Sequence, residues 1–370
     1  MKIGIDSRLI NESGIGRYIR NLLFYLQKID KENEYFIFLL EKDFDNSSFK
    51  KNFNKVKVDF GWYGLSEQLK FPKILARFNL DLVHFPHFNI PIFFNSKFIV
   101  TIHDLIHQDF QMRRATTRDP FTYQIKKLGY NQIFKTAVRN SSKILVPSEH
   151  VRQQLIDRWR VSVDKIVITP EGVDDQIIKF SENLSTSKVS EILDRLHIKK
   201  PYIFYVGNAH PHKNIQRLIE SFLLIKEKRP DLNLVLSGNS HYFWEQIIKE
   251  NKNNSIQFTG KVTDEELVAL YKSASCFVMP SLEEGFGIPL LEAFLCKCPV
   301  VSSSAGSLKE VGGDGTLYFD PKDNVDMAEK ILTVVDDKKV QNELINNGLG
   351  QVSKFSWEDL AKKTLEVYLK

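Results

Sequence analysis

Short runs of hydrophobic residues alternate with longer amphipathic stretches from one end of the chain to the other. In the first half the β-rich runs are KIGID (2–6), YFIFLL (35–40), LDLVHF (80–85), KFIVTI (97–102) and KILVPS (143–148). Apolar residues recur at helical spacing between these runs, as in RYIRNLLFYLQKI (17–29) and IKKLGYNQIFKTAVRN (125–140). Short apolar strands that alternate with helices are typical of a parallel sheet covered by helices.

This alternation stops at a polar stretch around 176–200, whose middle is rich in Ser and Thr, and then starts again. The later strand-like runs fall at 201–207, 233–238, 255–260, 276–281, 299–303 and 316–320. We therefore predict an α/β fold with two doubly wound, Rossmann-like domains, 1–178 and 201–354, joined by a linker over 179–200. A last helix, 355–370, has Ser356 as its predicted N-cap. Ligands of such sheets bind beyond the carboxyl ends of the strands, so two facing domains predict a cleft.

The composition is that of a soluble globular protein, with 42% hydrophobic and 26% charged residues in a chain of 370. The longest apolar runs, such as FIFLL and YIFYV, are far shorter than the roughly 20 residues that span a bilayer. The chain opens as a strand and not as a signal peptide. Three cysteines, Cys276, Cys296 and Cys298, form no disulfide framework, so we expect a reduced, cytoplasmic protein with buried thiols.

The charge is unevenly divided between the two halves of the chain. Residues 1–180 carry a net charge of +8 and residues 181–370 a net charge of −3. A basic half indicates an anionic membrane surface, a nucleic acid or an anionic substrate. Solvated lysines on surface helices are the plain alternative.

The stretch SGIGRY, 13–18, lies between a predicted strand and a predicted helix. Amides of Gly14 and Gly16 at a helix start could hold a phosphate. A nicotinamide-binding fingerprint fits poorly, because Ile19 takes the third glycine position and a long segment separates the strand from the motif. The nicotinamide-binding alternative stays open because Glu41 follows the second strand, where such a site has its ribose-binding acid. A structural turn that binds no ligand is the other alternative.

The stretch TIHDLIH, 101–107, places His103 and Asp104 directly after a strand, at the end where sites form. A histidine beside an acid can exchange hydrogen bonds with a sugar hydroxyl or a phosphate. HFPHFN adds His84 and His87 after the preceding strand, so several polar side chains are expected at one edge of the sheet. A satisfied structural histidine is the alternative.

The stretch VGNAHPHKN, 206–214, follows the first strand of the second half and places Lys213 just before a helix. A lysine near a helix N-terminus is badly placed for the helix dipole unless an anion lies there too. A diphosphate is the natural candidate, and a plain surface lysine is the alternative.

The stretch SLEEGFGIPLLEA, 281–293, combines two acids with a glycine turn. Glu284 lies in the predicted loop and Glu292 in the helix that Pro289 opens, so the two carboxylates bracket the helix start. Amides of the turn can hold phosphate while the carboxylates accept hydrogen bonds from sugar hydroxyls. An ordinary helix entrance whose acids only complement the dipole is the alternative.

Together these stretches resemble the retaining glycosyltransferases of family 4, which have the GT-B fold of two Rossmann-like domains. The matching motifs are G-I-G-R-Y at 14–18, V-G-x-x-x-P-x-K-N at 206–214, E-G-F-G-x-P-x-x-E-A at 284–293 and F-S-W at 355–357. The resemblance covers nearly the whole chain and keeps the family's order and spacing. The G-x-G and His-Asp pairs alone are not specific, whereas the two motifs of the second half are.

The resemblance implies a role for each matching position. Glu284 would contact donor-sugar hydroxyls, Glu292 the nucleotide ribose, and Lys213 the diphosphate, while His103 with Asp104 would lie by the reacting sugar and the acceptor. The remaining donor-binding positions would be Gly14, Gly16, Gly207, Asn208, Gly238, Asn239, Lys261, Val262, Gly285, Phe286, Gly287 and Ile288. The last helix would cross back onto the N-terminal, acceptor-binding domain.

Two positions depart from the family pattern. Many members have arginine where Asn208 stands, and Asn208 cannot supply that charge to a diphosphate; His212 or Arg17 could compensate. Lys297 stands where the family commonly has a glycine that caps the helix containing Glu292. This difference puts the local backbone geometry in doubt, and not the chemistry of the site.

The resemblance implies transfer of a hexose with retention of configuration from a nucleoside diphosphate sugar, with GDP-mannose favoured and no metal or further cofactor needed. We expect a saccharide or an anionic, lipid-linked acceptor at the cytoplasmic membrane face, as in bacterial surface polysaccharide or glycolipid synthesis, and no nucleic acid. The expected basic contacts are Arg113, Arg114, Arg118, Lys126 and Lys127. A nucleotide-sugar epimerase, a dehydrogenase and a non-catalytic sugar-binding protein remain alternatives.

Overall fold

The computed structural model describes residues 1–109, 120–239 and 241–370. The described chain divides into two compact units. The first unit contains residues 1–105, 120–171 and 356–370, and the second contains residues 106–109, 172–239 and 241–355.

The first unit is built on a sheet of seven parallel strands in the order β3-β2-β1-β4-β5-β6-β7. The strands are β1 (Lys2–Asp6), β2 (Glu34–Leu40), β3 (Phe53–Val58), β4 (Leu82–Phe85), β5 (Phe98–Thr101), β6 (Lys143–Val146) and β7 (Ile166–Ile168). In the register of the central strands, Ile3 lies opposite Tyr35 on β2 and Leu82 on β4. Such apolar strands suit a parallel sheet, because helices cover both of its faces.

The helices of the first unit fill the segments between these strands and include the end of the chain. They are α1 (Ser13–Ile29), α2 (Glu41–Phe44), α3 (Leu65–Leu75), α5 (Pro120–Asn140), α6 (Glu149–Trp159) and α16 (Trp357–Tyr368). The terminal helix α16 packs against α1. Ser356 caps α16, as predicted, because its Oγ accepts hydrogen bonds from the backbone N–H groups of Glu358 and Asp359 at 3.1 and 3.3 Å.

The second unit has a sheet of six parallel strands in the order β10-β9-β8-β11-β12-β13. The strands are β8 (Tyr202–Val206), β9 (Asn233–Ser237), β10 (Ile256–Gly260), β11 (Cys276–Met279), β12 (Val300–Ser303) and β13 (Thr316–Phe319). Its helices are α4 (Ile106–Asp109), α7 (Asp175–Asn183), α8 (Thr186–Arg195), α9 (Ile215–Lys228), α10 (Tyr242–Glu250), α11 (Asp264–Ser273), α12 (Ile288–Leu295), α13 (Leu308–Gly312), α14 (Asn324–Asp336) and α15 (Lys338–Val352). The predicted α/β class with two doubly wound sheets is confirmed.

The structure differs from the predicted linker over 179–200. Most of this stretch lies in α7 and α8, and Val189, Ile192 and Leu193 are buried in the core of the second unit. The Ser/Thr-rich middle is a helix start, since the Ser185 hydroxyl accepts a hydrogen bond from the Lys188 amide at 3.3 Å and caps α8. The prediction of a loop was wrong because serine and threonine also cap helices, and because a helix that buries only one face needs few apolar residues.

The three cysteines are buried and free, as predicted. Within the described residues, no helix is long and apolar enough to cross a membrane.

Candidate functional site

Two loops meet at the carboxyl edge of the second sheet. One follows β8 and carries Lys213, and the other follows β11 and carries Glu284. Because β8 and β11 are neighbours in the sheet, the loops after them emerge side by side. A backbone hydrogen bond of 2.7 Å from the Leu282 amide to the His212 carbonyl ties the two loops together.

The centre of this edge is an ion pair between Lys213 and Glu284. Lys213 Nζ lies 2.6 Å from Glu284 Oε1, and the Ser281 hydroxyl donates to the same oxygen at 2.6 Å. Glu284 Oε2 receives neither of these two bonds. The side chains are 15% and 8% exposed, so a cation and a carboxylate are held together at the surface of an apolar core.

The structure thus brings together two residues that the sequence analysis assigned to separate parts of one ligand. A cation here can hold a phosphate group, and the carboxylate beside it can accept hydrogen bonds from hydroxyls. A ligand that carries a phosphate next to a hydroxyl could therefore contact Lys213 and Glu284 in this arrangement.

The turn before α12 is shaped by a further loop, after β12. The Ser307 hydroxyl donates to the carbonyls of Glu284 and Phe286 at 3.1 and 2.8 Å, which fixes the orientation of the turn. Gly306 has a φ of 60°, and a Cβ there would lie 2.7 Å from the backbone N and O of Glu284. Gly287 begins α12 with a φ of 106°, a conformation that favours glycine.

Glu292 lies inside α12, four residues beyond its start at Ile288, while Glu284 precedes the helix, so the two acids bracket the helix start as predicted. Glu292 is buried at 2% exposure, and the Tyr271 hydroxyl donates to its Oε2 at 3.1 Å. Burial, together with the negative charge of Glu292, raises the pKa of Tyr271 well above its usual value, so the phenol stays a donor. Contact of Glu292 with a ribose stays a prediction.

The loops after β8, β9 and β10 also converge, around two predicted glycines. A Cβ on Gly238 would lie 2.0 Å from the Gly207 carbonyl oxygen, so the backbones approach too closely for a side chain. The Gly238 amide donates to the Gly260 carbonyl at 3.0 Å, and the indole of Trp244 donates to the Gly207 carbonyl at 3.3 Å. Asn239, Lys261 and Val262 follow these contacts directly in sequence. The predicted base-binding positions therefore lie in loops that the structure brings to one edge.

Asn208 shapes its own loop. Its Oδ1 accepts from the His210 amide at 3.2 Å, and its carbonyl accepts from the Tyr205 hydroxyl at 2.7 Å. His212, which the sequence analysis offered as a replacement for the missing arginine, is buried, and burial together with the charge of Lys213 lowers its pKa to about 2. It is therefore neutral at pH 7 in this structure and adds no charge to that of Lys213. Arg17 lies on α1 of the first unit.

In the first unit, His103 follows β5, as predicted, and both of its ring nitrogens have partners. Nε2 donates to the Pro86 carbonyl at 2.9 Å, and Nδ1 lies 3.2 Å from Glu171 Oε1. Burial opposes the charged imidazole, but the hydrogen bond and charge of Glu171 outweigh it and raise the pKa of His103. Asp104 follows in the same loop.

Four residues of these sites were not predicted from the sequence: Glu171, Ser281, Ser307 and Gly306. Each stands in a short polar or glycine-containing stretch directly after a strand, as in TPEG after β7 and SAGS after β12. That position was the available sign, because carboxyl ends of parallel strands lie at the ligand-binding edge.

The predicted position of His84 was wrong. It was expected at the edge of the sheet, but it lies within β4 and is fully buried. Its Nδ1 pairs with the Tyr368 hydroxyl at 2.6 Å and its Nε2 with the Thr101 hydroxyl at 2.8 Å. Burial lowers the pKa of His84 to about 3, so it is a neutral link between the sheet and the terminal helix.

Gly14 and Gly16 lie in the first turn of α1. A Cβ on Gly16 would lie 2.5 Å from the Ile10 carbonyl oxygen, so close packing of the helix start by itself requires a glycine there. Nothing lies within 4 Å of a Cβ built on Gly14. Contact of either glycine with a phosphate stays a prediction. Of the predicted basic cluster, Arg113, Arg114 and Arg118 lie outside the described residues, as do the side chains of Lys126 and Lys127.

Comparison with known proteins agrees with this architecture. The profile of the family Glycosyl transferases group 1 matches residues 191–351, and that of Glycosyltransferase Family 4 matches residues 13–177. The chain is 30% identical to the O-antigen chain mannosyltransferase B of Escherichia coli over 293 residues, which cover 78% of this chain and 74% of that protein.

Two solved structures share the fold over the whole chain. A sucrose-phosphate synthase from Thermosynechococcus elongatus has a TM-score of 0.77 at 20% identity and is covered to 98%. HepE from Anabaena, solved with UDP and glucose, has a TM-score of 0.75 at 17% identity and is covered to 100%. Both cover 100% of this chain.

Two parallel α/β sheets of seven and six strands, with these structural likenesses, define the GT-B fold. The chain belongs to the group 1 glycosyltransferases, family 4.

Proposed function

We propose that this protein transfers mannose from GDP-mannose to a saccharide or lipid-linked acceptor, with retention of configuration, in the synthesis of a bacterial surface polysaccharide or glycolipid. The observation that carries the donor assignment is the Lys213–Glu284 pair at the edge of the second sheet, 2.6 Å apart and mostly buried. The choice of mannose is supported by the activity in the name of the Escherichia coli relative.

Donor recognition is assigned to the second unit. Lys213 holds the diphosphate, the backbone amides at the start of α12 add donors from the same side, and Glu284 accepts hydrogen bonds from the sugar. A carboxylate so close to the lysine fits a ligand whose sugar and phosphate are adjacent. Glu292 and the loops after β9 and β10 hold the ribose and the base.

The reaction we propose breaks the bond between the anomeric carbon and the diphosphate oxygen. The acceptor oxygen forms its bond to the anomeric carbon on the same face, and its proton passes to the departing phosphate oxygen. Lys213 stabilises the charge that develops on the leaving group. His103, whose pKa is raised by Glu171, is assigned to contact with the acceptor, which the first unit is proposed to bind.

A thermal-shift comparison of GDP-, UDP- and dTDP-sugars tests donor binding, because a ligand that binds the folded state raises the unfolding temperature. We expect GDP-mannose to give the largest rise and Glu284→Ala to reduce it without loss of folding. Release of nucleoside diphosphate only when an acceptor is added distinguishes transfer from epimerisation. Equal stabilisation by all three sugar nucleotides, or by none, would contradict the donor assignment.

Contact with an anionic membrane surface stays part of this proposal. It is supported by the net charge of +8 in residues 1–180. We expect stronger binding at low salt to vesicles that contain phosphatidylglycerol than to vesicles of phosphatidylcholine alone. Equal binding to both would argue against an anionic surface.

A further inference from the structure

A small cavity opens in the first unit near the carboxyl ends of β1 and β4. Asp6, Arg8, Trp62, His87 and Asn89 contribute to its wall. Its volume of about 10 Å³ is room for one water-sized group. A sugar hydroxyl has this size, whereas a phosphate group does not.

Asn89 lines this cavity and carries a buried hydrogen-bond acceptor. The side chain is 3% exposed, and its Nδ2 donates to Glu67 Oε1 at 2.7 Å. Its Oδ1 is buried and has no hydrogen-bond partner among the residues that the structure describes. A buried acceptor left without a donor is costly, so this atom indicates that a donor group belongs in the cavity.

The charge of the cavity wall disfavours an anion. Arg8 uses four of its five N–H groups on neighbouring oxygens, two on Asp6, one on Glu67 and one on the Gly61 carbonyl, at distances from 2.5 to 3.1 Å. Its guanidinium is therefore neutralised by two carboxylates. Asp6 stays 11% exposed at the cavity and can accept further hydrogen bonds. The cavity wall therefore offers hydrogen-bond acceptors for hydroxyls and carries no net positive charge.

Aromatic side chains stand beside the cavity. Trp62 lines it and is half-buried, and Tyr63 is 56% exposed. Tyr63 has a φ of 61°, a left-handed conformation that is strained for an aromatic residue and clusters at functional sites. The C–H face of a pyranose is apolar and packs on such rings while its hydroxyls reach polar neighbours.

The cavity also adjoins His103. Pro86, whose carbonyl accepts the hydrogen bond from His103 Nε2, lines the cavity and precedes His87. The residues proposed to hold the donor lie in the second unit, so the cavity adds a separate sugar contact to the first.

We propose that this cavity takes one hydroxyl of a neutral sugar, the terminal residue of the acceptor, with the ring packed on Trp62 and the hydroxyl donating to Asn89 Oδ1. This inference rests on the proposed transferase function and names its acceptor class: a saccharide end without phosphate on the bound residue.

Binding can be measured without turnover by ¹⁹F NMR of protein labelled with 5-fluorotryptophan. The chain has four tryptophans, and the signal of Trp62 is identified by its loss in Trp62→Phe. The probes are the methyl α-pyranosides of mannose, glucose and galactose, mannose 6-phosphate and inorganic phosphate. We expect at least one neutral glycoside to shift the Trp62 signal, and neither phosphate compound to do so.

Asn89→Ala should lower the affinity for that glycoside roughly 2- to 10-fold, which is the effect of losing one neutral hydrogen bond. Asn54→Ala, a half-buried asparagine on β3, is the matched control and should leave the affinity unchanged. Thermal stabilisation of the Asn89→Ala variant by the donor should equal that of the wild type, which shows that the variant is folded. Three outcomes would overturn the cavity assignment: a response to phosphate, no response to any neutral glycoside, or undiminished affinity of a folded Asn89→Ala variant. The second and third outcomes would indicate that a water molecule occupies the cavity. None of these touches donor binding, so they are distinguishable from failure of the proposed function.

Discussion

The Lys213–Glu284 pair gives the most direct energetic prediction. The two side chains are 15% and 8% exposed, and their charged atoms are 2.6 Å apart. Removal of one partner from a fully buried pair costs about 3–5 kcal/mol, because the other charge stays buried and uncompensated. The Lys213 side chain retains some contact with water, so we expect Glu284→Gln and Lys213→Met each to lower the free energy of unfolding by about 2–3 kcal/mol.

The double variant removes both charges at once. Its loss should fall short of the sum of the single losses by about 2 kcal/mol, because no lone charge is left buried. Glutamine keeps an oxygen for the Ser281 hydroxyl, so the hydrogen bond at that position is preserved. Urea unfolding followed by circular dichroism measures all four proteins of the cycle.

Lys330→Met is the matched control, since Lys330 pairs with Asp326 at 3.8 Å on the surface of the same unit, with side chains 39% and 29% exposed. An exposed pair of this kind contributes at most about 1 kcal/mol, and we expect a change well below that of Lys213→Met. Strict additivity of the Lys213 and Glu284 losses would refute the energetic coupling of the two charges.

Three further predictions concern other parts of the chain. Lys297 has a φ of 56°, where a residue other than glycine is strained, so Lys297→Gly should raise the free energy of unfolding by about 1 kcal/mol in urea denaturation, and a decrease would contradict this. Tyr368→Phe leaves the buried Nδ1 of His84 without its partner and should cost about 1–3 kcal/mol in the same assay; no loss would argue against the link. Glu171→Gln should lower the pKa of His103, measured by NMR titration. Because the pKa of His103 is raised in the folded state, Glu171 stabilises the fold fully below the unfolded pKa near 6.5, and this stabilisation is lost as the pH rises through the folded pKa. A stability deficit of Glu171→Gln that is confined to high pH would contradict this direction.

The architecture follows from the sequence with few exceptions. Alternating apolar strands and amphipathic helices indicate two doubly wound sheets, and the motif positions fall after strands, where such sheets form sites. The exception is 179–200, where sparse apolar residues such as Ile192 among serines and threonines were taken for a linker. A capping serine and a loop serine are the same residue type, and Ser185 is recognised as a cap only by its hydrogen bond with the Lys188 amide.

The sequence allowed the residues of the candidate site to be predicted, but not the contacts between them. Lys213 and Glu284 are 71 positions apart, and they meet because β8 lies beside β11 in the sheet. Strand order of this kind depends on which helices pack on which face, and no local pattern records it. His84 shows the opposite failure, since a polar residue near the end of a strand was placed at the edge although tertiary packing buries it against Tyr368.

The proposed activity of this protein is the transfer of mannose from GDP-mannose. The decisive measurement is the product formed when the protein is incubated with GDP-mannose and a neutral methyl hexoside, analysed by mass spectrometry and by the one-bond carbon–hydrogen coupling at the new anomeric centre. We expect a disaccharide with an α-linked mannose, formed with equimolar GDP and lost in Glu284→Ala. Free mannose with no disaccharide, a β-linked product, or product formation that Glu284→Ala leaves unchanged would contradict it.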